Sequence, residues 1–241
     1  MRFNGVDIHD VDRRISVNKE IPPGMPRREI HTVRGNAAEH LGGLTLERDE
    51  YIVRVNIAAR SADEAWRVRE KLAAWAMSSG EETAALVPTH RADVFYDAIV
   101  SSIEAPEFNK GFATVNVVFL LPDPTAREIM ESSARGSTEI DLTIGGTVEA
   151  RPVITASLTA STGFLRCVLD GNAIMALEGD FAAGSVVVYD YVNGRVTVDG
   201  EDANSLIDYT ATKWRPGFTP GKHKLICPMQ TIDVRWHNRW A

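Results

Sequence analysis

Two dipeptides, Asp170-Gly171 and Asn193-Gly194, constrain this chain more than any other feature. A tight hairpin of the primed type needs positive φ at both central residues, which Asn, Asp and Gly reach at least steric cost. Each dipeptide therefore predicts a hairpin: Phe164 to Leu169 joined to Asn172 to Leu177, and Ser185 to Val192 joined to Arg195 to Asp199. In the last of these segments Val196 and Val198 alternate with Thr197 and Asp199, as a strand with one buried face requires. Gly145-Gly146 predicts a third turn of the same kind, leading into a strand over Thr147 to Ile154. From Leu142 to Gly200 the pattern is short strands and turns with no catalytic constellation set among them, which points to a structural part rather than a reagent.

The first half has a different texture. Met1 to Asn36 is irregular and polar, and Pro22, Pro23 and Pro26 forbid a long helix. Short apolar pieces around Phe3 and Ile15 predict edge strands. Glu50 to Ala59 reads as a strand with Tyr51, Val53, Val55 and Ile57 on one face. One helix follows, over 62–78. Ser61 and Glu64 form a capping box, Ala65, Val68, Leu72, Trp75 and Ala76 make the apolar stripe, and Gly80 supplies the stop. Strands are predicted at Ala84 to Val87, Val94 to Ile103 and Phe112 to Leu121, the last ended by Pro122-Asp123-Pro124. Thr125 to Thr138, poor in large apolar residues, reads as the link between two domains, 1–135 and 136–241. Near the C-terminus Val234, Trp236 and Trp240 alternate with Arg235, His237 and Arg239, which predicts tryptophans packed in a core; Trp214 is expected under a loop.

Function classes are narrowed mainly by what the residues do not form. The net charge of −7 weighs against specific nucleic-acid binding or an anionic membrane surface. No apolar stretch is long enough to span a bilayer, and Met1 to Val11 carries charges where a signal peptide would be apolar, so the expectation is a protein made in the cytoplasm. Cys167 and Cys227, the two cysteines, are expected as buried, reduced thiols. Gly217 to His223 falls short of a phosphate-binding loop: it lacks a spacer residue, Pro220 has no N–H, and His223 stands where a hydroxyl belongs. His9, His31, His40, His90, His223 and His237 show no paired metal-ligand spacing and are expected as solvated surface residues. Asp170, Asp180, Asp190 and Asp199 would have to pair across a sheet to act as acid and base, whereas turn chemistry accounts for three of them. No catalytic, metal-binding or cofactor-binding residue is assigned, and no enzyme activity is expected.

Phe3-Asn4-Gly5-Val6-Asp7 with Ile8, Arg34-Gly35-Asn36, the strand and helix from Tyr51 to Trp75, and the strand end from Phe119 to Pro124 resemble the N-terminal domain of the distal tail proteins (Dit) of long-tailed bacteriophages. The second half resembles the same family's C-terminal domain. There the matching stretches are Gly146 to Pro152, Leu177 to Phe181 with Gly184, Tyr189-Asp190, Val196-Thr197, Asp199-Gly200, Pro220 to His223, and Arg235 to Trp240.

The resemblance implies a mainly β protein: an N-terminal ring-forming domain over 1–135 and a galectin-like β-sandwich over 136–241. It further implies a hexameric ring at the distal end of the virion tail, joining the tail tube protein to the tail-associated fibre or lysin protein and, in many phages, to receptor-binding proteins. DNA would pass through the ring without being held, and an acidic bore would suit that passage. The arm from Ile15 to Arg28 and the hairpins around Glu50 to Met77 are the expected ring contacts. Family members with inserted carbohydrate-binding modules are longer; this chain has no room for one. Rival readings are a free carbohydrate-binding protein stacking sugars on Trp214 or Tyr191, a hydrolase, or another tail-tube or baseplate component.

Overall fold

A computed structural model describes residues 1–23, 26–32, 39–46, 50–213 and 217–241; for 26–32, 39–46 and 229 the backbone alone is described. The chain divides into two compact units, Met1–Ala126 with Ala241, and Arg127–Trp240. Both are built mainly of antiparallel strands.

The first unit begins with β1 (Arg2–Phe3), β2 (Val6–Asp7), a single-turn helix α1 (Ile8–Val11) and β3 (Ile15–Ile21). Among the described residues β4 (Pro26–Thr32) and β5 (Glu39–Leu46) form a two-stranded sheet of their own. Then come β6 (Glu50–Ala58), α2 (Ala62–Ala76), β7 (Ala84–Val87), β8 (Val94–Ile103), β9 (Glu107–Asn109) and β10 (Phe112–Leu120). The sheet runs in the order β2-β1-β7-β8-β10-β6-β3, with β9 extending β10, so the Ile15 segment is an edge strand as expected, whereas the Phe3 strand β1 is paired on both sides, by β2 and β7.

Alternation along β6 and β10 creates the face that buries α2. Val53, Val55 and Ile57 pair with Val117, Val115 and Ala113, all fully or almost fully buried. The α2 stripe Ala65, Val68, Leu72, Trp75 and Ala76 closes over them. Each such Val or Leu contributes about 2 kcal/mol on burial, more than any single cap, so packing rather than capping holds the helix in place. Trp75 pins it: its ring packs edge-on to Phe3 and Phe119, 5.8 and 6.3 Å between centroids, while its indole N–H donates to the Val6 carbonyl at 3.1 Å.

β11 (Ala126–Glu128) runs across the boundary in sequence, and the second unit then contains β12 (Ser132–Ile144), β13 (Val153–Leu158), β14 (Thr162–Leu169), β15 (Asn172–Phe181), β16 (Val186–Asp190), β17 (Arg195–Val198), β18 (Glu201–Asp202), β19 (Gly221–Trp236) and β20 (Arg239–Trp240). The strand order is β15-β14-β19-β13-β16-β17-β18, with β12 along the other edge of β19. β19 therefore serves two arms, pairing with β14 at Leu225 and Ile226 and with β13 from Gln230 to Arg235. Ile154, Leu165, Leu177, Val187, Val196, Phe218 and Val234 are among its core residues.

Several expectations are corrected. Asp170 and Gly171 both have positive φ, as a primed turn requires, but Asn193 does not; Tyr191 to Gly194 forms a longer loop organised by Asp190, whose carboxylate accepts from the N–H groups of Val192 and Asn193 at 2.8 and 3.0 Å. Asp199-Gly200 is a second true primed turn, with Val198 paired to Glu201. After Gly146 the chain does not form a strand from Thr147: Gly146 and Val148 make isolated bridges to Arg239, and Ala150 to Phe218, before β13 starts at Val153. The expected linker is largely strand, because β12 starts at Ser132 and pairs residue by residue with the end of β19. Its first half reads as polar because it is mostly exposed there. Cys167 and Cys227 form a disulfide rather than a pair of thiols, brought together by β14 and β19 across 60 residues of sequence.

Candidate functional site

Three of the four carboxylates weighed as catalytic, Asp170, Asp190 and Asp199, are held in structural bonds. Asp170, in its turn, accepts from the Lys224 N–H at 2.8 Å and faces His223 Nδ1 at 2.6 Å; the other ring nitrogen of His223 faces the Thr219 carbonyl at 2.6 Å. His223 is thus a clasp between a hairpin turn, a loop and the start of β19, and its side chain is only 8 % exposed. The neighbouring Gly217 lies against Ala150, where a Cβ would stand 2.4 Å from the carbonyl oxygen. Both ends of this loop are thus held by contacts to their own neighbours. Asp199 accepts from the Val186 N–H at 2.8 Å, and Asp190 organises its loop as described above. Asp180 is exposed beside an open groove with Ser161, Thr162 and Gly163. The structure brings none of these four carboxylates together as a pair.

His9 and His90 are exposed at the surface, as expected, whereas His223 and His237 are half-buried; all four make hydrogen bonds. His9 bonds the Ile15 carbonyl, His90 bonds Glu20, and His237 bonds the Glu128 carbonyl at 2.7 Å. His31 and His40 lie on β4 and β5, where side chains are outside the described residues, as is Trp214. Among the described residues no group of three or more His, Cys, Asp or Glu is placed to hold a metal ion. No helix among them is long and apolar enough to cross a membrane. Trp236 is buried as expected, donating its indole N–H to Asn238 at 3.1 Å, whereas Trp240 is half-buried. Tyr191 packs edge-on to Phe218, 5.6 Å between centroids, and is 6 % exposed, so it offers no sugar-stacking face.

Two charged networks brace the first unit. Asp12 takes two hydrogen bonds from the Arg14 guanidinium, at 2.9 and 2.8 Å, and one from Lys71 at 3.0 Å, while Arg14 reaches Glu64 at 2.6 Å. The Arg14 bonds hold the Asp12 carboxyl well below the ordinary range although its burial works the other way. At the end of β3, burial opposes ionisation of Glu20, but the Thr89 N–H, His90 and the Tyr51 hydroxyl together outweigh it and lower its pKa. Burial, reinforced by the Glu20 charge, pushes the Tyr51 phenol upward.

Several large apolar and aromatic side chains are exposed. On the sheet face opposite α2, Leu120 pairs with Ile99, and Val118 with Ile52, which in turn pairs with Ile21; all are at least partly exposed. On α2, Trp66 is 45 % exposed, with the Arg69 guanidinium 5.7 Å from its ring centroid. Phe108 and Phe112 stand exposed on the β9–β10 hairpin, and Tyr209 on the second unit. Exposed aromatic and Arg side chains are the residue types enriched where proteins meet. Sequence reading missed Trp66 and Phe108 as surface candidates, although Trp66 falls outside the apolar stripe of its helix and so announces its exposure.

Comparison with known proteins places these observations in context. Residues 145–240 match the model of a family described as "Siphovirus-type tail component, C-terminal domain". No curated protein matches the chain. Among solved structures, the Dit protein of phage SPP1, described as a paradigm of the hub adsorption apparatus in phages infecting Gram-positive bacteria, superposes with a TM-score of 0.80 at 13% identity, over 99% of this chain and 98% of that one. A chain of the phage p2 baseplate in its activated conformation is also similar, at a TM-score of 0.46 and 10% identity over 92% of this chain and 90% of that one.

Proposed function

We propose, from the match of residues 145–240 to the C-terminal domain of siphovirus-type tail components, that this protein is a distal tail protein of a phage virion, a subunit of a ring that joins the tail tube to the tail tip. The family match carries the reading. The fold shared with SPP1 Dit from end to end supports it, since it extends the likeness over the first unit as well. The function is assembly: no bond is made or broken, and what matters is that neighbouring copies and other virion parts are held in register.

A closed ring requires a heterologous contact, one patch meeting a different patch on the next copy at a fixed rotation. A durable contact of this kind buries on the order of 1,000 Å². Strand edges and exposed aromatics are natural carriers. β3 ends the sheet of the first unit and begins the Ile15 to Arg28 arm, while Trp66 and the β9–β10 hairpin lie in and beyond the Glu50 to Met77 region. In this reading the first unit forms the ring and the second faces fibre, lysin or receptor-binding proteins at the distal end of the tail. The chain's acidic balance suits a bore that lets DNA slide through.

Mass photometry of the purified protein, alone and with the tail tube protein, tests the proposal. Six copies of a 26.5 kDa chain give about 159 kDa. A particle of that mass with a central hole in negative stain is the expected result. A monomer under both conditions overturns it.

A further inference from the structure

Cys167 and Cys227 lie on neighbouring antiparallel strands. The ladder between β14 and β19 pairs Leu169 with Leu225 and Val168 with Ile226. Its next rung sets Cys167 opposite Cys227 with Cα atoms 4.5 Å apart, the close spacing of a non-hydrogen-bonded pair. Beyond this rung β19 leaves β14, and from Gln230 onward it pairs with β13. The same stretch of β19 also loses step with β12 on its other edge, where Glu139 pairs with Ile226 but Ser137 with Thr231. The ladder between β14 and β15 slips as well, between Cys167 and Val168.

Three ladder irregularities thus meet at one fork, where the β14–β15 arm parts from the β13–β16–β17–β18 arm. Just past it, Gln230 is buried with neither side-chain amide atom hydrogen-bonded to any described residue. Ladder hydrogen bonds are what resist the opening of a sheet, so the fork is the place where this unit most readily comes apart. The covalent bond sits there and nowhere else among the described residues.

We propose that the Cys167–Cys227 disulfide is a redox latch on this fork, open as a dithiol in reducing surroundings and closed in oxidising ones, which tightens the junction of the two arms and leaves the arms themselves unchanged. Both cysteines are fully buried, so exchange proceeds through local opening of the fork. In closing, one cysteine thiolate attacks a small disulfide such as oxidised glutathione, forming a mixed disulfide and releasing one glutathione thiolate. The second cysteine thiolate then displaces the other glutathione. Two cysteine thiols are oxidised, one external disulfide is reduced to two thiols, and the cysteine protons pass to those products. That the latch closes once a virion leaves its host rests on the assembly reading; the latch itself does not.

The full chain, equilibrated in glutathione buffers from fully reduced to fully oxidised and trapped with N-ethylmaleimide in denaturant, is weighed intact and compared by hydrogen–deuterium exchange. The expected result is reversible conversion between two adducts and none. With it, the oxidised form should exchange roughly tenfold more slowly at 165–169 and 225–231, and little differently in the first unit. The paired variant Cys167→Ala and Cys227→Val should exchange like the reduced protein in every buffer; should it fail to fold, the reduced and oxidised native chain make the comparison alone. Two adducts in fully oxidised buffer, equal exchange in both forms, or loss of protection throughout the second unit on reduction would each overturn the latch. A chain that forms rings without a working latch removes this inference and leaves the assembly reading standing, and a monomer with a working latch does the reverse.

Discussion

Gly146 touches the backbone of Arg239 so closely that a Cβ added to it would stand 2.0 Å from the Arg239 carbonyl oxygen. The contact is made from both sides: the N–H of Thr147 donates to that same oxygen at 2.8 Å, and Gly146 itself has φ of 89°. Gly146→Ala therefore combines a forbidden approach with an unfavourable backbone conformation and should cost roughly 2–4 kcal/mol. Gly171→Ala, at φ of 80° with nothing within 4 Å of the new Cβ, isolates the conformational part and should cost about 1 kcal/mol. Urea unfolding of the two variants measures the difference. Equal losses would mean that the approach to Arg239 yields easily.

The start of α2 offers a cleaner dissection. The Ser61 hydroxyl accepts from the Glu64 N–H at 3.2 Å, and Glu64 answers by accepting from the Arg60 N–H at 2.7 Å. Ser61→Ala should lower stability by about 1 kcal/mol, and Ser61→Gly by only a few tenths. Urea midpoints that fall equally in the two variants would show that the hydroxyl is not what caps the helix.

The helix and the Asp170-Gly171 hairpin were legible because their signals are local: a cap, a stripe and a stop within one stretch, or two turn residues between two strands. β12 and β19 were not, because what makes Ser132 to Ser137 a strand is a partner at Thr231 to Trp236, far away in sequence. Local composition there resembles a linker. The disulfide was hidden for the same reason, since its two halves meet only after β14 and β19 have paired. Asn193-Gly194 misled in the opposite direction. Asp190, by binding the N–H groups of Val192 and Asn193, selects a longer loop that the dipeptide alone does not reveal. As for function, contact surfaces leave little trace in a sequence beyond stray aromatics such as Trp66, so the order of weak family likenesses said more than any residue did.

Acid should weaken the first unit through Glu20. Its carboxyl is lowered from the ordinary 4.5, so its contribution is fully present above the unfolded value and is lost as pH falls through that value toward the folded one. Asp12, lowered by Arg14, acts in the same direction. Urea midpoints measured from pH 7 down to pH 3 should therefore decline below about pH 4.5, and Glu20→Gln should flatten the decline while reducing stability at pH 7. An unchanged slope in the variant would remove Glu20 from the account.

Gln230 makes the last case, because here the physical expectation runs against the habit that substitutions in a core do harm. Its side chain is 1% exposed, on β19 opposite Leu158, and neither amide atom has a hydrogen-bond partner among the described residues. A buried amide without a partner loses its bonds to water and gains none, at a cost of about 1–3 kcal/mol. Gln230→Met keeps the volume and removes both polar atoms, so it should leave the protein as stable or raise its stability by about 1 kcal/mol. Tyr189→Phe is the parallel case: the phenol is 1% exposed and its hydroxyl likewise has no described partner, so its loss should be close to neutral or favourable. Thermal and urea unfolding of both variants decide the matter. A clear destabilisation by Gln230→Met would mean that the amide is satisfied within the folded chain in solution, as by a buried water, and would remove the unpaired amide from the account.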